Sequence, residues 1–256
     1  MDLSNSNLKI DAIIQARLSS TRLPKKILKK ICGKTILEHV IERVKSAKCV
    51  NRIIVATTIN NADDYLCEWL QNKNILYFRG DENDVLSRFF EVAKQYACKN
   101  MVRITPDDVF KDPVLIDEVA KMYFNENLDF AYNNHPPSYP EGLDVEIFSA
   151  RALFKAQKES ADEFEREHMT QYFYRNKKVF KQKNLAHEKN LSSLRWTVDT
   201  EEDFKMAETV YNKLYRKDKL FPWKTILSYI QKNSNIPNMN RHIKRSHHYR
   251  GGDPNV

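Results

Sequence analysis

The chain has 256 residues, of which 41% are hydrophobic and 30% are charged, and its formal net charge is +8 at pH 7. That length is enough for one large core, or for a core with a small appendage. The sequence contains no run of about 18 apolar residues, which excludes a membrane-spanning helix. The first residues lack the basic and apolar regions of a signal peptide. We therefore expect a cytoplasmic protein with no membrane partner.

Apolar, β-branched runs alternate with amphipathic segments through the first half of the chain. The runs predict strands at residues 10–14, 53–57, 75–78 and 101–104, and the amphipathic segments predict helices at residues 36–48, 61–72, 84–98 and 114–125. This order predicts an α/β fold with a mainly parallel sheet flanked by helices. Ligands of such sheets bind beyond the carboxyl ends of the strands.

The pattern changes after residue 132, where a proline-rich loop occupies residues 133–140. Strands are predicted at residues 143–148 and 194–198, and helices at residues 150–159, 162–176, 200–216 and 222–232. We expect residues 1–233 to form a single domain, with residues 137–195 as an insertion on the substrate side or for dimerisation. Residues 234–256 are predicted to be a basic, weakly structured tail.

A polar loop with four cations follows the first predicted strand. It carries Arg17, Arg22, Lys25 and Lys26, and an amphipathic helix comes soon after. A strand, a cationic loop and a helix together are typical of a polyphosphate site, because backbone N–H groups and basic side chains both face the anion. The Walker glycine pattern is absent, so side chains and ordinary backbone would hold the phosphates.

Two aspartates come directly after predicted strands. Asp107 follows residues 101–104, and Asp199 follows residues 194–198. One or two carboxylates together with phosphate oxygens complete the octahedral shell of Mg²⁺, so we predict that these two residues bind Mg²⁺. Alternatively, Asp199 is the N-cap of the next helix, a role that contributes about 1 kcal/mol. The scattered cysteines argue against a zinc site.

Acidic residues in the second half suggest a site for a polar substrate. Asp144 and Glu146 share one face of a predicted strand, where they repel each other unless a metal, a cation or sugar hydroxyls lie between them. Glu165 and His168 share one face of a predicted helix and would form a hydrogen-bonding ledge. Plain solvent exposure remains the alternative for both pairs.

Motifs spread over residues 10–205 carry a family resemblance. In these motifs, which are given at the end of this paragraph, the chain resembles the cytidylyltransferase family that activates acidic sugars. Within that family it is most similar to the spore coat polysaccharide biosynthesis protein F subfamily, a relative of the CMP-KDO and CMP-sialic acid synthetases. The motifs are Ile14-Gln15-Ala16-Arg17, Ser20-Thr21-Arg22-Leu23-Pro24 with Lys26, Gly33-Lys34, Arg52-Ile53-Ile54-Val55-Ala56-Thr57, Gly80-Asp81-Glu82-Asn83-Asp84-Val85-Leu86, Arg103-Ile104-Thr105, Gly142-Leu143-Asp144-Val145-Glu146, Glu165-Arg166-Glu167-His168-Met169-Thr170 and Val198-Asp199-Thr200-Glu201-Glu202-Asp203.

The chain departs from the family in one motif. Pro106 stands where the family carries glycine, which removes a backbone N–H and fixes φ near −65°. Asp107 retains the carboxylate of that motif, and Asp108 is a second carboxylate beside it. The departure bears on the metal geometry and on the choice of nucleotide.

The resemblance implies a nucleotide-diphospho-sugar transferase (glycosyltransferase-A-like) fold and the transfer of a nucleoside monophosphate to a sugar, with release of pyrophosphate. CTP is the favoured donor, Mg²⁺ the cofactor, and a homodimer the expected assembly. The implied catalytic residues are Arg17, Lys26, Asp107 and Asp199, of which the two aspartates hold the metal. The implied nucleotide-binding residues are Ala16, Arg17, Ser20, Arg22, Lys26, Arg79, Asp84 and Arg103, and the sugar-binding residues are Asp144, Glu146, Glu165 and His168.

Two other functions compete with this one. A glycosyltransferase on the same fold would use a D-x-D metal motif, of which Asp144-Val145-Glu146 is a distant echo, and it would not release pyrophosphate. A non-enzymatic protein that binds nucleic acid or another polyanion would explain the basic charge. It would leave the strand-end carboxylates unexplained, and the sequence lacks an aromatic stacking platform. We therefore expect no nucleic-acid partner, and the sugar and the choice between CTP and GTP stay open.

Overall fold

The computed structural model of the protein describes residues 8–217 and 219–245. A seven-stranded sheet with the order β5-β4-β1-β6-β8-β7-β9 forms the centre of this part of the chain. Its strands are β1 (Ile10–Gln15), β4 (Val50–Thr58), β5 (Leu76–Gly80), β6 (Asn100–Ile104), β7 (Phe130–Tyr132), β8 (Glu146–Ser149) and β9 (Gln182–Asn184). The short strands β2 (Lys30–Ile31) and β3 (Lys34–Thr35) form a separate ribbon.

The sheet is mainly parallel, as predicted. Strands β5, β4, β1 and β6 run parallel to one another, and β7 runs parallel to β9. Only β8 is antiparallel to its neighbours β6 and β7. Because β1 and the second half of β4 are buried on both faces, they appear in the sequence as continuous apolar runs rather than alternating ones.

Helices cover both faces of the sheet. In β1, Ala12 and Ile14 belong to an apolar cluster with buried residues of the helices at residues 36–45, 113–125, 201–214 and 223–232, whereas Ile13 belongs to a second cluster with those at residues 85–95, 150–159 and 171–175. The helices are α1 (Ile36–Lys45), α2 (Asp64–Asn72), α3 (Val85–Gln95), α4 (Pro113–Asn125), α5 (Ala150–Glu159), α6 (Glu163–Glu167), α7 (Gln171–Arg175), α8 (Glu201–Leu214), α9 (Trp223–Lys232) and α10 (Asn235–Asn238). Within the described ranges, none has the length and hydrophobicity needed to cross a membrane.

Three predicted elements differ from the structure. Residues 194–198 form a loop, in which a single bridge joins Arg195 to Glu141. The strand predicted at residues 143–148 begins only at Glu146, because the side chain of Asn133 binds the backbone at Leu143 and Val145 instead. The helix predicted at residues 162–176 is divided into α6 and α7.

Part of the predicted C-terminal tail packs against the rest of the protein. Residues 235–238 form α10, and the buried side chain of Asn240 donates to the backbone oxygen of Arg195 and to Asp203. Arg245 donates to both carboxylate oxygens of Asp144. Residues 246–256 lie outside the described residues.

Candidate active site

A cleft of about 340 Å³ lies at the carboxyl ends of β1 and β6. This is the end of a parallel sheet at which ligands bind. Its walls come from the loops after β1 and β6, from α3, from the segment before β8, from the break between α6 and α7, and from the loop before α8.

The loop after β1 is fixed at several points. Leu23 and Ile27 are buried in the core, and the backbone N–H of Leu18 donates to the carboxylate of Asp63 (2.7 Å). Between these anchors, Arg22 and Lys26 line the cleft. The apolar residues of the loop therefore determine where its cations lie.

Lys26 joins the two predicted metal ligands. Its Nζ lies 2.6 Å from Oδ1 of Asp199 and also contacts Oδ2 of Asp107. Burial disfavours the charge on Lys26, but the two carboxylates outweigh that effect and raise its pKa. Burial raises the pKa of Asp107, whereas Lys26, Arg22 and Arg195 overcome burial and lower the pKa of Asp199. The centre of the cleft is a half-buried cluster of opposite charges.

Asp199 is positioned by a buried arginine. The guanidinium of Arg195 donates to Asp199 (3.0 Å), to Glu141 (2.8 Å) and to Asp203 (3.0 Å). Asp199 is not the N-cap of α8, because Thr200 caps that helix in a capping box with Asp203. The alternative reading of Asp199 as a helix cap is therefore wrong.

Four predicted site residues do not line the cleft. Arg79 donates to the backbone oxygens of residues 58 and 60, and Asp84 caps α3 and pairs with an arginine of α6. Glu146, 2% exposed, binds the guanidinium of Arg103 and a tyrosine hydroxyl. Glu165 binds Ser160 and an arginine of α7. Each has a structural partner that the local sequence did not reveal.

The other predicted site residues come together in the cleft. Asp144 and His168 lie on the wall made by the segment before β8 and the break between α6 and α7. The cleft is lined by Ala16, Arg17, Ser20, Arg22, Lys26, Arg103, Asp107, Asp144, His168 and Asp199. The cations Arg103 and Arg245 bind Glu146 and Asp144 separately, which relieves the repulsion predicted between these two carboxylates.

Comparison with known proteins identifies the family. A model of the cytidylyltransferase family matches residues 12–234. The chain belongs to the cytidylyltransferase family. A solved cytidylyltransferase from Leptospira borgpetersenii is 30% identical, with a TM-score of 0.85 over 93% of this chain and 99% of that one. The predicted family and fold are confirmed.

Two further proteins resemble this cytidylyltransferase. The spore coat polysaccharide biosynthesis protein SpsF of Bacillus subtilis is 29% identical over 209 residues, which are 78% of this chain and 85% of that protein. A CMP:2-keto-3-deoxy-manno-octonic acid synthetase, solved with CTP, has a TM-score of 0.62 at 16% identity, over 81% of this chain and all of that one. At that identity the second likeness extends to the fold alone.

The carboxylates at the centre of this cytidylyltransferase fit a Mg²⁺ ion. Mg²⁺ prefers oxygen ligands and keeps several positions for water and substrate phosphates. Asp107 and Asp199 supply two carboxylates that already face one cation, the ammonium of Lys26. No group of three or more protein ligands surrounds a metal position within the described ranges, so the remaining ligands would be phosphate oxygens and water. Lys26 would have to move aside for a metal ion to bind between these carboxylates.

Several cleft residues escaped the sequence analysis. Glu141 and Arg88 line the cleft, and Arg195 holds Asp199 from behind it. All three look like ordinary polar residues of a loop or a helix, and only the fold buries them. Gly142, beside Glu141, could have indicated that this segment packs closely in the site. Its φ is +101°, and a Cβ there would lie 2.8 Å from the backbone nitrogen of Thr197. Glycine is therefore required where the segment before β8 meets the loop before α8.

Glu141 should make the stability of the protein depend on pH. Burial is the main reason that the pKa of Glu141 rises to about 7, against the opposing charge of Arg195. Because the folded state binds the proton more tightly, this residue's contribution to the free energy of unfolding is complete below the unfolded pKa of about 4.5. It is lost as the pH rises through about 7, by at most about 3 kcal/mol.

The change Glu141→Gln imitates the protonated form. We expect its free energy of unfolding in urea to fall less than that of the wild type between about pH 5 and about pH 8. The same fall in both proteins would contradict the raised pKa.

Proposed function

We propose that this cytidylyltransferase transfers CMP from CTP to an oxygen of an acidic sugar, a nonulosonic acid or a sugar phosphate, with Mg²⁺ as cofactor. The product would serve surface polysaccharide or glycan biosynthesis. The observation that carries the proposal is the contact of Lys26 with both Asp107 and Asp199 beside a loop rich in arginine. The likeness to a spore coat polysaccharide protein supports the link to surface polysaccharides, and membership of the cytidylyltransferase family supports CTP as the donor.

The reaction is a displacement at phosphorus. A sugar oxygen forms a bond to the α-phosphorus of CTP, the bond from that phosphorus to the bridging oxygen breaks, and pyrophosphate leaves. No covalent intermediate with the protein is required. Catalysis then depends on positioning the reactants and on stabilising the charge that develops.

The cationic loop supplies most of the positive charge that would stabilise the transition state. Arg22 and Lys26 now bind carboxylates, and a triphosphate would compete for both cations. Arg17, whose side chain is 46% exposed and pairs with Glu82, is also accessible to the phosphates. These groups would bind the departing pyrophosphate and neutralise its charge.

The carboxylates and the sugar side complete the site. Mg²⁺ held by Asp107 and Asp199 would neutralise phosphate charge and orient the reacting oxygens. Asp144 and His168 also line the cleft and would bind sugar hydroxyls. We further propose a cytoplasmic homodimer with no nucleic-acid or membrane partner.

Pyrophosphate release tests the proposal. The four ribonucleoside triphosphates, with Mg²⁺, would each be combined with a panel of nonulosonic acids and sugar phosphates. Release that requires CTP and one acidic sugar together would support the proposal. Release with another triphosphate would correct the donor. Turnover of a finished nucleotide sugar without pyrophosphate release would favour a glycosyltransferase and contradict the proposal.

A further inference from the structure

Arg88 is a buried arginine of the cleft to which no role has been assigned. It lies on α3, is 4% exposed, and lines the cleft together with Val85 and Ala16. Its Nη1 donates to the backbone oxygen of Asp81 (2.9 Å). Within residues 8–217 and 219–245, no group accepts a hydrogen bond from its buried Nε, and the guanidinium forms no ion pair.

Such an arrangement is costly for a protein. A buried charge is normally paired and hydrogen-bonded. Other buried arginines of this chain have more partners: Arg43 donates from two nitrogens to two backbone oxygens (2.6 and 2.8 Å), and Arg195 donates to three carboxylates. Burial also lowers the pKa of Arg88, to about 10. Nε is enclosed by the protein, but Nη2 is not, and it has no acceptor within the described ranges; since Arg88 lines the cleft, a ligand there can accept a hydrogen bond from Nη2.

Gly80, the last residue of β5, leaves room for the side chain of Arg88. A Cβ on Gly80 would lie 3.0 Å from Cγ of Arg88 and 3.1 Å from a ring carbon of Phe78. Any side chain at position 80 would therefore press on the stem of the arginine. Gly80 and Phe78 therefore fix the stem of Arg88, which keeps this residue at the wall of the cleft.

The surroundings of Arg88 indicate a neutral partner. The carboxylates of Asp63, Asp81 and Glu82 lie close enough to raise its pKa, whereas Arg17 acts in the other direction. A phosphate or a sugar carboxylate beside Arg88 would be repelled by these acids. The neighbouring side chains of Val85 and Ala16 are apolar and suit the faces of a flat ring. A carbonyl oxygen on a flat ring is an uncharged acceptor, and the faces of the ring can pack against these apolar side chains.

We propose that Arg88 donates a hydrogen bond to the carbonyl oxygen at position 2 of the pyrimidine base of the nucleotide. Arg88 is then a binding residue that determines which base the cleft accepts. Arg88 belongs to the helix that follows β5, whereas Asp107 follows β6. In the sheet, β4 and β1 lie between β5 and β6. The inference rests on the proposed function, because it requires a pyrimidine nucleotide in this cleft.

Calorimetric titration tests the role of Arg88. CTP, ATP and inorganic tripolyphosphate would be titrated into the wild type and into Arg88→Met, which keeps the length of the side chain. We expect the variant to bind CTP roughly 10- to 100-fold more weakly, the loss that follows from removing a hydrogen bond with a charged donor. Tripolyphosphate should bind both proteins equally, and the preference for CTP over ATP should shrink.

Two further variants serve as controls. Arg151→Met removes an exposed arginine outside the cleft, whose side chain is 81% exposed, and should bind CTP as the wild type does. Arg43→Met removes a buried arginine with partners and should lower Tm. Without ligand, Arg88→Met should have a Tm at or above that of the wild type, because it removes a buried charge that lacks an ion pair.

The outcomes separate this inference from the proposed function. Equal CTP affinity in the wild type and Arg88→Met overturns the role of Arg88 and leaves the proposed function intact. Weaker binding of both CTP and tripolyphosphate also overturns it, because a phosphate would then be the partner. If the wild type binds no nucleoside triphosphate, both proposals fail.

Discussion

Lys26→Met should lower kcat/KM by about 100-fold or more and should also let a divalent cation bind without nucleotide. The first effect follows because loss of a group that stabilises charge in the transition state typically costs that much. The second follows because the ammonium of Lys26 occupies the position between Asp107 and Asp199. In the wild type, a triphosphate must draw Lys26 away before both carboxylates can face a metal. Metal binding and nucleotide binding should therefore be strongly coupled.

Titration with Mn²⁺, followed by calorimetry or by its electron paramagnetic resonance signal, measures this coupling. The wild type should bind Mn²⁺ tightly only with a non-hydrolysable CTP analogue, whereas Lys26→Met should bind it with and without the analogue. Lys29→Met is a matched control, because Lys29 pairs with Glu201 and does not line the cleft. Equal Mn²⁺ binding by unliganded wild type and Lys26→Met would contradict the role given to Lys26.

Local patterns were sufficient to predict most of the fold. The continuous apolar run in β1 predicted a strand buried on both faces, and Thr200 with Asp203 predicted the start of α8. The strand predicted at residues 194–198 failed because apolar and polar residues alternate there as in a half-buried strand. In the structure the polar Arg195 is buried as well, since it binds three carboxylates from different parts of the chain.

The candidate site was predictable where its residues follow strands. Asp107 could be located because β6 ends shortly before it, and Lys26 because its loop follows β1. Arg88 and Glu141 could not be located, because their burial depends on segments distant in sequence. Arg79 was misplaced because it binds backbone oxygens of residues 58 and 60, and Asp84 because it caps its own helix and pairs with Arg166 of α6.

Asp199→Asn should reduce kcat/KM by roughly 100- to 1,000-fold, the range for losing a group that positions transition-state charge, and should weaken the dependence of turnover on Mg²⁺. The variant should remain folded. Thr200 still caps α8, and Arg195 keeps its bonds to Glu141 and Asp203. Turnover as a function of Mg²⁺ concentration, together with thermal unfolding, measures both effects.

Asp203→Asn provides the opposite case. Asp203 is fully buried, closes the capping box of α8 and binds Arg195, but it does not line the cleft. Its replacement should lower the free energy of unfolding by about 1–3 kcal/mol, because buried donors lose a charged acceptor. If Asp199→Asn instead unfolds as readily as Asp203→Asn, or keeps the Mg²⁺ dependence of the wild type, Asp199 is a structural residue. If the two variants separate as expected, the same arginine network serves two purposes: through Asp203 it holds α8 to the fold, and through Asp199 it positions a carboxylate that would hold Mg²⁺ beside the reacting phosphate.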